Sequence, residues 1–278
     1  DRYMVHNIFT AGCFGLFFIA RTMKEFVESA EWDPHALKML DTDWDRSFYP
    51  ADGGHLERNW GYGGHTIGRH QHIWNFARET GGMGEVQAHY KRGLTRAYQF
   101  YAYTLDAKGV APGFGDEGLG DLNKILDRAL ESGLFPKGTR RNLGVDTSKS
   151  YLMEGTRVAI MRNGNDVSSS YANVTYGEFA GWHSHMDLLS MNFRANGQLL
   201  LEEVPRFGPY EGPMDLLWRC DKAHNQLLVD GFHYDSRPFA GEDVHWHSDE
   251  HIDYFSACHR AHREVPINGH QPFLMSGD

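Results

Sequence analysis

Apolar residues recur three and four positions apart through the first half of the chain and alternate with polar ones through the second. FGLFFIARTMKEFVESAEW, HTIGRHQHIWNFARET, EVQAHYKRGLTRAYQFYAYTL and GDLNKILDRALESGLF carry the helical spacing, over residues 14–32, 65–80, 85–105 and 120–135. Loops rich in Gly, Asp and Pro separate them, such as YPADGGHLERNWGYGG and DAKGVAPGFGDEG.

After PKGTRRNLGVDTSKS the pattern shortens to RVAIMRN, SYANVTYG, LLSMNFRANGQLLLEE and HNQLLVDGFHYD, which read as strands. RANGQ holds an Asn-Gly hairpin signal, and VDGF marks another turn. Helices followed by strands predict an α+β chain: a helical domain over residues 1–142, then an antiparallel β-sandwich over 143–278. The linker falls near residues 137–150.

With 278 residues, 41% of them hydrophobic and 13% aromatic, the chain can fill one large core or two medium ones. A net charge of −10 leaves no basic footprint, so neither nucleic acid nor an anionic membrane surface is expected as a partner. FTAGCFGLFFIA is too short to span a bilayer and runs into RTMKEF, so it reads as a buried helix and no membrane insertion is expected. Three cysteines without a CxxC spacing suggest neither a disulfide framework nor a cysteine zinc site. The chain opens at DRYMVHN as if inside an element and stops at FLMSGD as another strand begins, so a piece of a longer protein is expected.

Histidine changes the picture. The 17 histidines cluster, and in AGWHSHMDLLSMNF a strand would point His183, His185 and Asp187 to one face and Met186, Leu188 and Ser190 to the other. The hairpin partner GQLLLEEV brings Glu202 and Glu203 back beside that strand, and DKAHNQLLVDG supplies His224. Two imidazoles and a carboxylate suit zinc, which makes His185, Glu202 and His224 the candidate metal ligands. Such an ion could stitch strands together or activate water at an open position.

A second constellation, DGGHLERNWGYGGH, offers Glu57, Arg58, Trp60 and Tyr62: an acid, a cation, a sugar-stacking face and a phenol. The plain alternative is a helix-to-helix loop; without a preceding strand it is no phosphate loop. In MVHNIFTAG, His6 and Asn7 open a hydrophobic helix, where Asn7 either caps the helix or faces a cleft.

Taken in order, HN before a buried helix, DGGHLERNWGY, GWHSHMDLLSMNFRANGQLLLEE and AHNQLLVDG resemble the heparinase II/III-like polysaccharide lyases. Members of that family carry a His-Asn-Trp or Asn-Trp step, a DG-x-x-x-E-x-x-x-x-Y loop, an HGHAD-x-L-S strand, an acid after LL, and an AHNT-x-x-VDG strand. The chain departs at Ile8, at Ser184 for Gly, at Met186 for Ala, and at Glu202 for a metal-binding Asp.

The resemblance implies an incomplete α/α toroid followed by a β-sandwich, with a cleft for an acidic polysaccharide or oligosaccharide. It implies β-elimination at a 4-linked uronic acid, leaving an unsaturated uronide. Asn7 and His183, with His6 beside them, would neutralise the substrate carboxylate. Tyr62 would be the acid, and also the base where phenol and C5 proton share a side, with His183 or His6 as base for the other C5 configuration. Arg58, Arg69 or Arg206 would lower the phenol's pKa, and Glu57, Trp60 and Tyr210 complete the substrate-binding candidates. Zinc would be structural support beside the catalytic histidine. A periplasmic or secreted location is implied by the resemblance alone, and a homo-oligomer is compatible with it.

Three rivals stand beside this reading: a uronyl C5-epimerase, a hydrolase using Glu57 or Glu117, and a non-catalytic, metal-stapled carbohydrate-binding module. An acidic chain with few basic clusters leans toward unsulfated polymers.

Overall fold

Phe9, Cys13, Phe17 and Ala20 lie three or four residues apart and are buried along one side of α1 (His6–Thr22). The computed structural model describes residues 6–117, 120–121, 123–138, 140–181, 183–206, 213–228 and 239–259. The helix expected over residues 14–32 is interrupted. The chain turns after Thr22, with Phe26 N donating to Met23 O at 3.2 Å and Ser29 N to Phe26 O at 3.1 Å, and α2 (Ser29–Ser47) starts afresh.

The sequence pattern reached only the first four residues of α2. Its buried positions include Ala36, Leu40, Asp43, Trp44 and Ser47, a helical stripe that mixes polar with apolar residues around an internal Pro34. The polar members are satisfied inside: Thr10 Oγ1 and Ser47 Oγ donate to Asp43 at 2.7 and 2.9 Å, and His70 Nε2 approaches it at 3.2 Å. The other helices are α3 (Trp60–Thr80), α4 (Gln87–Thr104) and α5 (Asn123–Glu131). Among the described residues no helix is long and apolar enough to cross a membrane.

The chain divides into two compact units. One comprises Asp1–Leu56, Gly61–Ala102 and Asn123–Val145, and the other Glu57–Trp60, Tyr103–Leu122 and Asp146–Asp278. Two segments of the helical half, including Glu57–Trp60 of the DGGHLERNWGY loop, therefore join the sheet-bearing unit.

In that second unit the short pair β1 (Val110–Ala111) and β2 (Gly120–Asp121) brackets a loop. A five-stranded antiparallel sheet follows in chain order: β3 (Tyr151–Met153), β4 (Val158–Arg162), β5 (Tyr171–Thr175), β6 (Met191–Ala195) and β7 (Gln198–Leu201). Val158, Ala159 and Ile160 are consecutive and fully buried, so β4 is covered on both faces. Asn196 and Gly197 turn β6 into β7 with φ of 52° and 73°, the mirror-image turn that Asn-Gly signals.

Beyond the sheet lie α6 (Pro213–Arg219) and a hairpin of β8 (Glu242–Ser248) and β9 (Asp253–Cys258), which carries His245 and His247. The strand expected over residues 224–235 is absent from residues 224–228, and its remainder, with the VDG turn, lies outside the described residues.

Candidate active site

The His183–Asp187 stretch is not a strand. Ser184 folds it into a turn, its N and Oγ donating to Gly181 O at 3.0 and 2.9 Å, while Ala180 N donates to Ser184 Oγ at 3.0 Å. The hydroxyl that stands where the family motif has glycine thus closes the turn. Leu189, at φ 63°, passes the chain to β6 through Leu189 N to Thr175 O at 2.8 Å. Met186 and Leu188 are buried with Cys220 against the partly buried Phe179, Leu189 and Phe239, but His185 and Asp187, expected on the opposite face, are buried too, so the two-face alternation does not hold.

The two histidines converge on a carboxylate that sequence reasoning did not select, Asp116. Its Oδ2 lies 2.6 Å from His183 Nδ1 and its Oδ1 2.9 Å from His185 Nε2, and its side chain is only 4% exposed. Burial alone would raise the Asp116 carboxyl, but the two imidazoles outweigh it and hold the acid below its ordinary range.

Backbone geometry places Asp116. Its N–H donates to His183 O at 3.0 Å, its carbonyl accepts Arg206 N at 3.4 Å, and Asn59 Nδ2 lies 3.4 Å from both Phe114 O and His183 O. Asn192 of β6 reaches the same loop, donating to Gly113 O at 3.1 Å. Gly115 makes the approach feasible: its φ is 63°, and a Cβ there would stand 2.2 Å from His183 O. Gly115→Ala is therefore expected to cost more than the roughly 1–2 kcal/mol of a left-handed backbone alone. Gly181→Ala is the control, with φ 78° and nothing within 4 Å of its Cβ. Equal urea midpoints for the two variants would show that the contact with His183 carries no energy.

The candidate metal ligands need one correction. Glu202 is exposed; the carboxylate that meets His224 Nδ1 belongs to Glu203, which is 2% exposed. Both glutamates lie past the end of β7 at Leu201, and it is Glu203 whose backbone is tied to the buried Asn192 of β6. Glu203 also accepts Asn225 N at 2.8 Å and Ser190 Oγ, and its own N–H donates to Asn192 Oδ1 at 2.9 Å.

His185 and His224 stand with ring centroids 5.2 Å apart. Each gives one nitrogen to a carboxylate, and the other, Nδ1 of His185 and Nε2 of His224, is buried with no hydrogen-bond partner among the described residues. Two such nitrogens, each ring held by a carboxylate from its other side, are part of what a histidine-bound cation needs, though a third donor is not drawn in with them among the described residues. Burial pushes His185 down to about 4, which keeps it neutral and able to ligate. For His224 burial acts in the same direction, but Glu203's hydrogen bond and charge outweigh it and raise the pKa. Burial also pushes Asp187 up to about 6. Among the described residues, three donor atoms all within 4.8 Å of one another are found instead at Asp41, Asp45 and His89. There both His89 nitrogens already face carboxylates, at 2.6 and 2.9 Å.

The substrate-binding candidates divide. Glu57, Arg58 and Trp60 are 0%, 3% and 2% exposed, so Trp60 is a packed core residue, edge-on to Phe114 at 6.0 Å, rather than an open sugar platform. Arg58, at φ 50°, is a buried cation whose guanidinium has no hydrogen-bond partner among the described residues. Arg206 Nε pairs with Asp215 Oδ1 at 2.8 Å. Tyr210 lies outside the described residues.

In the helical unit, Arg69 Nη1 donates to Asn7 O at 2.9 Å, so these two candidates do meet. Tyr62 is half-buried in the first turn of α3, its ring 6.1 Å from that of His65. His6 is the first residue of α1, and Ile8 is 68% exposed.

The fold has solved relatives. A heparinase III gene product with methylated lysines matches with a TM-score of 0.76 at 17% identity, covering 90% of this chain and 40% of its own. A crystal structure of heparinase III gives 0.73 at 16% identity, covering 86% and 41%. Heparan sulfate lyase HepC from Pedobacter heparinus gives 0.71 at 18%, covering 88% and 40%. The family profile described as Heparinase II/III N-terminus matches residues 2–139. The chain belongs to the heparinase II/III-like family. This heparinase II/III-like chain spans about two fifths of the length of those solved structures. A sequence search of curated proteins gives no match.

Proposed function

We propose that this chain is part of a polysaccharide lyase that cleaves a 4-linked uronic-acid polymer by β-elimination. The observation that carries the reading is the His183 imidazole, held from Nδ1 by Asp116 at 2.6 Å with its side chain 13% exposed. Removing the C5 proton places charge on the neighbouring carboxylate, and a substrate carboxylate left free makes that proton hardly acidic. An oriented imidazole can hydrogen-bond the developing charge or accept the proton.

In this proposal Asn7, with His6 beside it, shares the neutralisation, and Tyr62 delivers a proton to the leaving oxygen. These roles rest on the motifs HN and DGGHLERNWGY. Arg69 and Arg206 remain candidates for the acidic substrate, whereas Glu57, Arg58 and Trp60 are buried, with Trp60 packed against Phe114 of the Asp116 loop. The helical unit would be part of an α/α toroid and the five-stranded sheet one layer of a sandwich, in a secreted or periplasmic protein. Solved relatives described as heparinase III and heparan sulfate lyase support an acidic polysaccharide as substrate.

His185 and His224 would hold a zinc ion, with Glu203 in place of Glu202 as the supporting carboxylate. When bound, the ion would supply fixed positive charge and rigidity beside the His183 loop.

The test is incubation with alginate, heparan sulfate, chondroitin sulfate, hyaluronan and polyglucuronate while following the ultraviolet absorbance of the unsaturated uronide, with Tyr62→Phe in parallel. A rise on one polymer that is lost in the variant is expected. Binding without any absorbance change would refute the lyase reading and favour a binding module; exchange of the C5 proton with solvent, also without absorbance, would identify an epimerase.

A further inference from the structure

Asp116 touches two histidines through opposite ring nitrogens: Nδ1 of His183 at 2.6 Å and Nε2 of His185 at 2.9 Å. An ionised carboxylate only accepts hydrogen bonds, and a neutral imidazole carries one N–H, so the nitrogen facing Asp116 is the protonated one. We infer that Asp116 is a positioning residue that fixes the two histidines in opposite tautomers, His183 protonated on Nδ1 and His185 on Nε2.

The consequence is a division of labour within one short turn. The lone pair of His183 is placed on Nε2, the nitrogen turned from Asp116, where it can serve the substrate. The lone pair of His185 is placed on Nδ1, the buried nitrogen without a hydrogen-bond partner among the described residues, where it can serve a cation. Neither outcome follows from the histidines themselves, because an isolated imidazole exchanges freely between the two forms. Both oxygens of one carboxylate are used, and the Asp116 N–H to His183 O bond at 3.0 Å keeps the carboxylate in register with the turn.

The inference rests on His183 as the substrate-facing group of the proposed lyase, but its test does not need turnover. Long-range proton–nitrogen correlation spectra of the histidine-labelled chain, recorded where free imidazoles are neutral, report which ring nitrogen carries the proton. The expected wild-type result is Nδ1–H for His183 and Nε2–H for His185. In Asp116→Asn the new amide accepts at one end and donates at the other, so one of the two rings is expected to reverse its tautomer. The opposite tautomer at either wild-type ring, or unchanged tautomers at both rings of a folded Asp116→Asn variant, would overturn the inference. If that variant does not fold, the wild-type spectra alone decide. Correct tautomers in a chain that turns over none of the polymers would defeat the lyase reading and leave Asp116's role standing.

Discussion

His183→Ala is expected to lower the rate of β-elimination by roughly 10²- to 10⁴-fold, the usual contribution of a positioned acid–base group. The loss should fall mainly on kcat, because the interaction with the C5 carboxylate strengthens only as charge develops there. His183 sits in a turn whose path is held by backbone bonds from Asp116 and by Ser184, none of which passes through the imidazole. The backbone of the turn should therefore persist, but the urea midpoint should fall as well, because the variant leaves Asp116 Oδ2, on a side chain only 4% exposed, without its imidazole, so the rate is to be read on protein shown to be folded. His251→Ala is the matching control: its side chain is 81% exposed and pairs with Glu250 at 3.4 Å. Turnover of His183→Ala within a few-fold of wild type would remove His183 from the chemistry and shift the burden to His6 or Tyr62.

What was legible in the sequence was what is local. The α3 and α4 helices and the β6–β7 hairpin follow from spacing and from Asn-Gly, because each is decided by residues a few positions apart. The α2 helix was hidden because Asp43 and Ser47 occupy buried positions that a hydrophobic pattern scores as exposed. The HSHMD stretch satisfied a strand's period, but Ser184 uses its hydroxyl to close a turn, which no alternation rule detects. Asp116 was invisible for a different reason: 67 residues separate it from His183, and PGFGDEG carries no signal beyond a flexible loop. With hindsight Gly115 is the clue, a residue needed where one backbone passes close to another. Glu202 and Glu203 differ by a single step past the end of β7, where strand alternation no longer says which one turns inward.

That single step carries the second large effect. Glu203→Ala is expected to destabilise the sheet-bearing unit by about 3–5 kcal/mol, as for a buried ionic group removed from its partner. The loss leaves His224 Nδ1, Asn225 N and Ser190 Oγ facing a void where one carboxylate had met all three. Each of these donors is then desolvated without return, and the cavity adds its own cost. Glu202→Ala removes the same side chain from an exposed position one residue earlier and should stay within about 0.5 kcal/mol. Glu203→Gln should fall between them, since an amide oxygen in the Oε1 position still accepts from both Asn225 N and Ser190 Oγ, while its NH2 faces His224 Nδ1 and the bond there is lost unless that ring changes tautomer. Urea unfolding of the three variants orders them directly. An equal loss for Glu202→Ala and Glu203→Ala would return Glu202 to the candidate site and remove the buried carboxylate from the account of how His224 is held.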